Sequence, residues 1–300
     1  MISADEASLS FYLAEQVEIV DAALHRWVPE ERGGPSSIHR AMRYSLFAGG
    51  KRIRPVLAIA AARAVSDDIA GVENAAATLE LIHTYSLIHD DLPALDNDDL
   101  RRGRPTCHKV FGEAMAILAG DALLTLAFQV LSQLPNTEPE TKVRLINELS
   151  QAAGTVDGMI GGQVNDIEGE RQKPTPELLE SIHRAKTGAL LRASVRMGAI
   201  YAGASDSELI SLSAYGEHIG LAFQIIDDVL DVEQSSDQLG KTAGKDEAQQ
   251  KITFPAVYGI EQSRTMAEQE RKAAHAALGS FGNRAQVLRQ IADFVVLRKA

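Results

Sequence analysis

Two apolar stretches of this 300-residue chain end in paired carboxylates. Ser86-Leu87-Ile88-His89-Asp90-Asp91 and Phe223-Gln224-Ile225-Ile226-Asp227-Asp228 place their first aspartates 137 residues apart, nearly half the chain. The first pair continues through Leu92-Pro93-Ala94-Leu95 to Asp96, then Asn97-Asp98-Asp99. On an ideal helix His83, Ser86 and Asp90 share a face, whereas Asp96 would lie about 120° away. Pro93 removes an amide donor and crowds the preceding turn, so the helix breaks there and Asp96 can swing back beside Asp90. Carboxylates at a helix C-terminus oppose the macrodipole, an odd place for mere solvation. In the second cluster Asp227 and Asp231 stand four apart on one face, with Gln224 a turn earlier and Asp228 alongside. Uncompensated carboxylates among Phe223, Ile225, Ile226, Val229 and Leu230 would be costly, so a cation is implied. Oxygen ligands without clustered Cys or His favour Mg²⁺, which usually bridges one or two carboxylates to substrate phosphates. The aspartates thus predict a phosphorylated ligand.

The sequence supplies the matching positive charge. Gly49-Gly50-Lys51-Arg52-Ile53-Arg54-Pro55 packs three cations between helix breakers, and Arg101-Arg102-Gly103-Arg104-Pro105 puts three more behind the first acidic cluster. Guanidinium forks fit phosphate oxygens bidentately. Lys186-Thr187-Gly188, Lys241 and Lys251 add further cations. The pattern reads as metals for one diphosphate and bare cations for another.

Helices must position these groups, because apolar periodicity is helical almost everywhere. Leu9, Leu13, Val17, Val20, Leu24 and Trp27 recur at spacings of four and three, the stripe of a long amphipathic helix. Thr175-Pro176-Glu177 is a helix start, with a capping hydroxyl, Pro in the first turn and an acid at the positive end of the dipole. That helix runs to about Gly203, and segments 55–65, 72–92, 112–132, 141–160, 206–232, 253–278 and 283–298 read as helical too. No strand alternation emerges, and no interruption is long enough for an interdomain linker. The expectation is an all-α, single-domain helical bundle over residues 1–300.

Hydrophobic residues make up 45% of the chain, enough for a sizeable core. The net charge of −11, from 30 Lys+Arg and 41 Asp+Glu, argues against a broad nucleic-acid surface. It does not argue against small chelated anions, since part of the surplus acid is the expected metal site. The lone Cys107 excludes an internal disulfide. An acidic N-terminus, no uninterrupted ~20-residue apolar run and no C-terminal lipidation signal lead to the expectation of a cytoplasmic protein without stable membrane insertion.

Taken in order from about Met42 to Pro255, the Gly49–Pro55 element, the first aspartate motif followed by Arg101-Arg102-Gly103-Arg104-Pro105-Thr106-Cys107-His108-Lys109, Gly161-Gly162-Gln163 with Asp166, Lys186-Thr187-Gly188, and Asp227-Asp228-Val229-Leu230-Asp231 resemble the trans-isoprenyl diphosphate synthases. The Pro-containing insertion in the first motif is most similar to that of bacterial farnesyl diphosphate synthases and related geranylgeranyl synthases. Leu95 stands where Met is usual and Phe254 where Tyr is usual, neither altering the chemistry.

The resemblance implies head-to-tail prenyl transfer in an isoprenoid-synthase helical fold. It implies that Asp90 and Asp96, supported by Asp91, share Mg²⁺ with an allylic diphosphate, and that Asp227, with Asp231 in an outer role, holds a further ion, three per active site. By the same similarity Arg101, Lys186, Thr187, Gln224, Lys241 and Lys251 surround the allylic diphosphate. Gly50, Lys51, Arg54, His83 and Arg102 belong to the isopentenyl diphosphate site, Gln163 lies near the developing cation, and the enzyme is a homodimer. Tyr85 and Ser86 lie about 6–7.5 Å down the helix axis from Asp90. The family implies a pocket floor there, and a bulky Tyr85 resembles producers of the C15 farnesyl chain.

Several rival readings fit less well. A His-Asp phosphohydrolase would need more His ligands than His83 beside His89-Asp90. Cys107-His108 lacks a second zinc-spaced pair. A class I terpene cyclase would need neither the Lys51, Arg54 and His83 group nor a second aspartate motif. A non-catalytic partner subunit would be expected to have lost motif residues that stand intact here.

Overall fold

Helices begin where side chains can satisfy the first free amides. Thr175 accepts from the Leu178 amide at 3.3 Å, and Thr253 accepts from that of Ala256 at 3.4 Å; each precedes a Pro in the first turn. The computed structural model describes residues 4–30, 34–169, 172, 174–233 and 252–298. Helices run in the order α1 Ala4–Trp27, α2 Ser36–Leu46, α3 Ile53–Val65, α4 Val72–Asp90, α5 Cys107–Phe111, α6 Glu113–Ser132, α7 Pro139–Ala153, α8 Met159–Gly169 and α9 Pro176–His183. A π-helical turn, Arg184–Gly188, leads into α10 Ala189–Tyr201 and α11 Asp206–Glu233. Three further helices follow, α12 Phe254–Tyr258, α13 Ile260–Ala277 and α14 Gln286–Leu297.

The all-α expectation holds, with differences in detail. A two-residue antiparallel pair, Leu100–Arg101 with Arg104–Pro105, is the strand that periodicity missed. The helix expected over 141–160 breaks after Ala153, where residues 154–158 form a bend before α8. Gly259, at φ +78°, divides the helix expected over 253–278.

α3 and α10 form the shared wall of two apolar clusters. Ala58, Ile59 and Ala62 of α3 face one cluster, built with α1, α2, α4, α6 and α7. Val56, Leu57, Ala60, Ala61 and Ala64 face the other, built with α11, α13 and α14. A β-carbon on Gly198 would lie 1.9 Å from the Ala58 carbonyl oxygen, so α3 and α10 meet at backbone contact. α4 packs along α6, and α11 along α13. By length and composition α6 and α11 could each cross a membrane, a property shared by core helices of bundles such as this one. The α4 and α11 ends that deliver the two aspartate motifs are thereby fixed by packing on both sides.

Candidate active site

The loop entering α3 sorts its cations by backbone geometry. Arg52 adopts a left-handed conformation, φ +47°, and turns inward. Its guanidinium is buried on Asp21 at 2.9 Å, Glu80 at 2.8 Å and the Leu46 carbonyl at 2.7 Å. Lys51 and Arg54 instead line a cleft of about 380 Å³ with Gly50, His83, Arg102, Phe223 and Arg298 among its walls. Arg102 also has positive φ, and its guanidinium lies against Gly50, where a β-carbon would meet Nη1 at 2.6 Å. Glycine at 50 thus makes room for the arginine. The Arg54 Nε is buried and finds no acceptor among the described residues. Burial, then Arg54, Arg102, Arg101 and Arg52, hold the His83 imidazole well below its usual 6.5, so it is neutral. Neutral imidazole offers a hydrogen bond rather than another charge. Three cations and an orphaned guanidinium donor around one cleft make a binding site for a compact polyanion.

The first aspartate motif closes on itself beyond α4. The Asp96 amide donates to the Asp90 carbonyl at 2.9 Å and the Asp98 amide to that of Asp91 at 3.2 Å, bringing Asp96 back toward Asp90. Burial pushes the Asp90 carboxyl up to about 6, opposed by Lys186 and aided by Asp96. The Asp91 carboxyl also rises to about 6 through burial, although Arg101 donates to it at 2.8 and 2.6 Å. Such strained, oxygen-only carboxylates fit Mg²⁺. Among the described residues no three or more metal-binding side chains converge as a ready cage, and Mg²⁺ seldom uses one, because substrate phosphates complete its shell.

Lys186 projects from the π turn, its Nζ held 2.5 Å from Asp166 of α8. α8 crosses that turn so closely that a β-carbon on Gly162 would lie 2.1 Å from the Lys186 amide. Thr187 of the π turn, Gln163 of α8 and Gln224 of α11 are each partly buried.

The second motif is held differently from expectation. Asp227 is paired with Arg298, a residue that no sequence motif singles out, whose guanidinium also lies 4.3 Å from the Phe223 ring. Asp228 is buried, accepting from the Phe254 amide at 2.9 Å with the His183 Nε2 at 3.3 Å, so it braces α11 against α12 and α9. Asp231 is buried. Tyr85 is buried with its hydroxyl unpartnered, and Ser86 donates to the His83 carbonyl at 2.9 Å. Lys241 and Lys251 lie outside the described residues.

Residues 35–294 match the family described as polyprenyl synthetase. The chain belongs to the polyprenyl synthetase family. A farnesyl diphosphate synthase of Geobacillus stearothermophilus is 49% identical over 257 residues, 85% of this chain and 86% of that one. Geranylgeranyl pyrophosphate synthase 12, chloroplastic, of Arabidopsis thaliana is 47% identical over 293 residues, 96% of this chain and 81% of that one. Among solved structures, an FPP/GFPP synthase from Zymomonas mobilis superimposes with a TM-score of 0.86 at 36% identity, covering 97% and 99% of the two chains. This polyprenyl synthetase is therefore a prenyltransferase with the all-α isoprenyl synthase fold. The residues that sequence reasoning missed, Glu80 and Arg298, carry no motif of their own and become visible only through partners 28 and 71 residues distant.

Proposed function

We propose that the protein is a farnesyl diphosphate synthase. It would condense isopentenyl diphosphate with dimethylallyl diphosphate and then with geranyl diphosphate, in the presence of Mg²⁺. The observation that carries this reading is the pairing of two unlike anion sites on one bundle. One is carboxylate-rich at Asp90, Asp91 and Asp96. The other is cationic at Lys51, Arg54 and Arg102 around neutral His83. A terpene cyclase, with one diphosphate, has no use for the second site.

Mg²⁺, held through Asp90, Asp96 and Asp227, would neutralise charge growing on the allylic diphosphate as its C–O bond breaks. Lys186, Arg101, Lys241 and Lys251, with Thr187 and Gln224, would add donors to the departing oxygens. Lys51, Arg54, His83 and Arg102 would hold isopentenyl diphosphate without metal and bring its alkene within reach of the allylic C1. The apolar walls beneath α4 would keep water from the allylic cation. The departing diphosphate would take the final proton, so no nucleophilic side chain is required.

Tyr85, buried five residues before Asp90, supports a C15 limit. The Arabidopsis relative's name favours a second reading, geranylgeranyl diphosphate synthesis. Chromatography of dephosphorylated products from purified protein, Mg²⁺, isopentenyl diphosphate and C5 or C10 allylic substrates separates the two. A C15 alcohol is expected. C20 as the main product would replace the farnesyl assignment, and no elongation with either allylic substrate would overturn the synthase reading. Cytoplasmic location and a homodimer belong to the same proposal.

A further inference from the structure

His89 fills the contact between the helix that carries the first aspartates and the helix that covers it. Its Nε2 lies 3.1 Å from the Ile117 carbonyl oxygen of α6 and donates to it, with Asp121 Oδ1 at 3.9 Å. The ring rests directly on Gly120: a β-carbon there would fall 2.1 Å from Nε2 and 2.5 Å from Cδ2. Glycine inside a helix costs about 1 kcal/mol relative to alanine, and at this position the vacated space is occupied by the imidazole. On its other side the His89 ring meets Tyr85 edge-on, with centroids 5.6 Å apart and planes at 80°. The Tyr85 hydroxyl is buried and has no hydrogen-bond partner among the described residues. No polar anchor therefore fixes the phenol. Packing fixes it, and His89 is the ring it packs against.

We propose that His89 is a positioning residue that sets product chain length. Clamped by Ile117 and Gly120 of α6, it holds the Tyr85 ring in place across the space into which an isoprenoid tail grows. The inference rests on the synthase reading above and extends it from the floor residue to the device that holds the floor. Gly120 gains a role in the same device, since only a residue without a β-carbon admits the imidazole.

The test compares wild type, His89→Ala, Gly120→Ala, Tyr85→Ala and the double variant His89→Ala/Tyr85→Ala, each with Mg²⁺, isopentenyl diphosphate and the C10 allylic diphosphate. Thermal unfolding checks that each variant is folded. Gly120→Ala acts from the opposite helix with His89 intact, so the inference stays testable if His89→Ala is unstable. The ratio of the next longer product to the wild-type product should rise roughly tenfold in both His89→Ala and Gly120→Ala, the scale of one lost apolar contact in a pocket. Condensation with the C5 allylic substrate, whose tail is too short to reach Tyr85, should keep its wild-type kcat/KM. In the Tyr85→Ala background, adding His89→Ala should lengthen products no further. A wild-type product distribution in folded His89→Ala and Gly120→Ala would overturn the inference, as would an undiminished His89 effect without Tyr85. If wild type itself fails to elongate, the synthase reading falls, and this inference falls with it.

Discussion

Replacing Gly162 with alanine sets two physical effects against each other. Helix propensity alone favours the substitution by about 1 kcal/mol, since Gly162 lies within α8. The structure opposes it, because the new methyl would sit 2.1 Å from the Lys186 amide nitrogen, 2.5 Å from its Cα and 2.7 Å from the Ala185 carbonyl carbon. These are backbone atoms and cannot rotate away. The two segments must separate by roughly 1 Å before ordinary contact returns, and overpacking of this kind costs about 1–3 kcal/mol. The net change in stability is then a loss of about 0–2 kcal/mol. The larger effect falls on chemistry, because the atoms displaced carry Lys186. A misplacement of about 1 Å in a positioning group lowers rate by about 10²-fold. Urea unfolding and steady-state condensation kinetics measure the two quantities separately. A variant stabilised by about 1 kcal/mol that turns over at the wild-type rate would refute both the closeness of this crossing and the role given to the π turn.

Three other outcomes follow from contacts elsewhere. Glu80→Ala strands the buried Arg52 guanidinium and should destabilise the fold by about 3–5 kcal/mol in urea titration, whereas a loss under 1 kcal/mol would show that Asp21 and the Leu46 carbonyl suffice. In metal-free protein, Asp90 and Asp91 hold their protons up to about 6, above the unfolded value of 3.8. Their contribution to stability is complete below 3.8 and is lost as pH rises through about 6. The thermal midpoint in chelator should therefore fall across that window, and an Asp90→Asn/Asp91→Asn protein should flatten the slope; parallel curves would contradict the assignment. Arg298→Gln removes a guanidinium from Asp227 and should lower the Mg²⁺ concentration for half-maximal condensation by about two- to fivefold, in keeping with a partly exposed ion pair. An unchanged Mg²⁺ dependence would mean that Arg298 and the metal do not compete.

The helical architecture was readable because long apolar stripes and capping residues act locally. Pro93 told correctly where α4 ends, since its effect is confined to the adjacent turn. The break at residues 154–158 was not readable, because periodicity on both sides simulates one helix. Motif residues were legible as charges but not as partners. Lys51, Arg52 and Arg54 look equivalent in sequence, yet a left-handed backbone at Arg52 and carboxylates 31 and 28 residues away separate a structural arginine from two that face the cleft. Arg298 reads as an ordinary basic residue at the end of a helix, and only its tertiary neighbours tie it to Asp227. Lys186 was visible as a motif, whereas the wider winding that presents it was not, because π and α turns have no distinguishing composition here.

That wider winding has a consequence for how the chain can change length. The turn Arg184–Gly188 accommodates one residue more than α-helical winding would. Deleting any single residue there would restore regular winding locally, yet rotate everything on one side by about 100° relative to the other. Either Lys186 would leave Asp166, or the apolar face of α10 would leave both clusters it joins. Substitutions at exposed Ser181 and Arg184 are thus far easier to absorb than one missing residue between them and Ala189. The stretch is constrained in its residue count more tightly than in its residue identities.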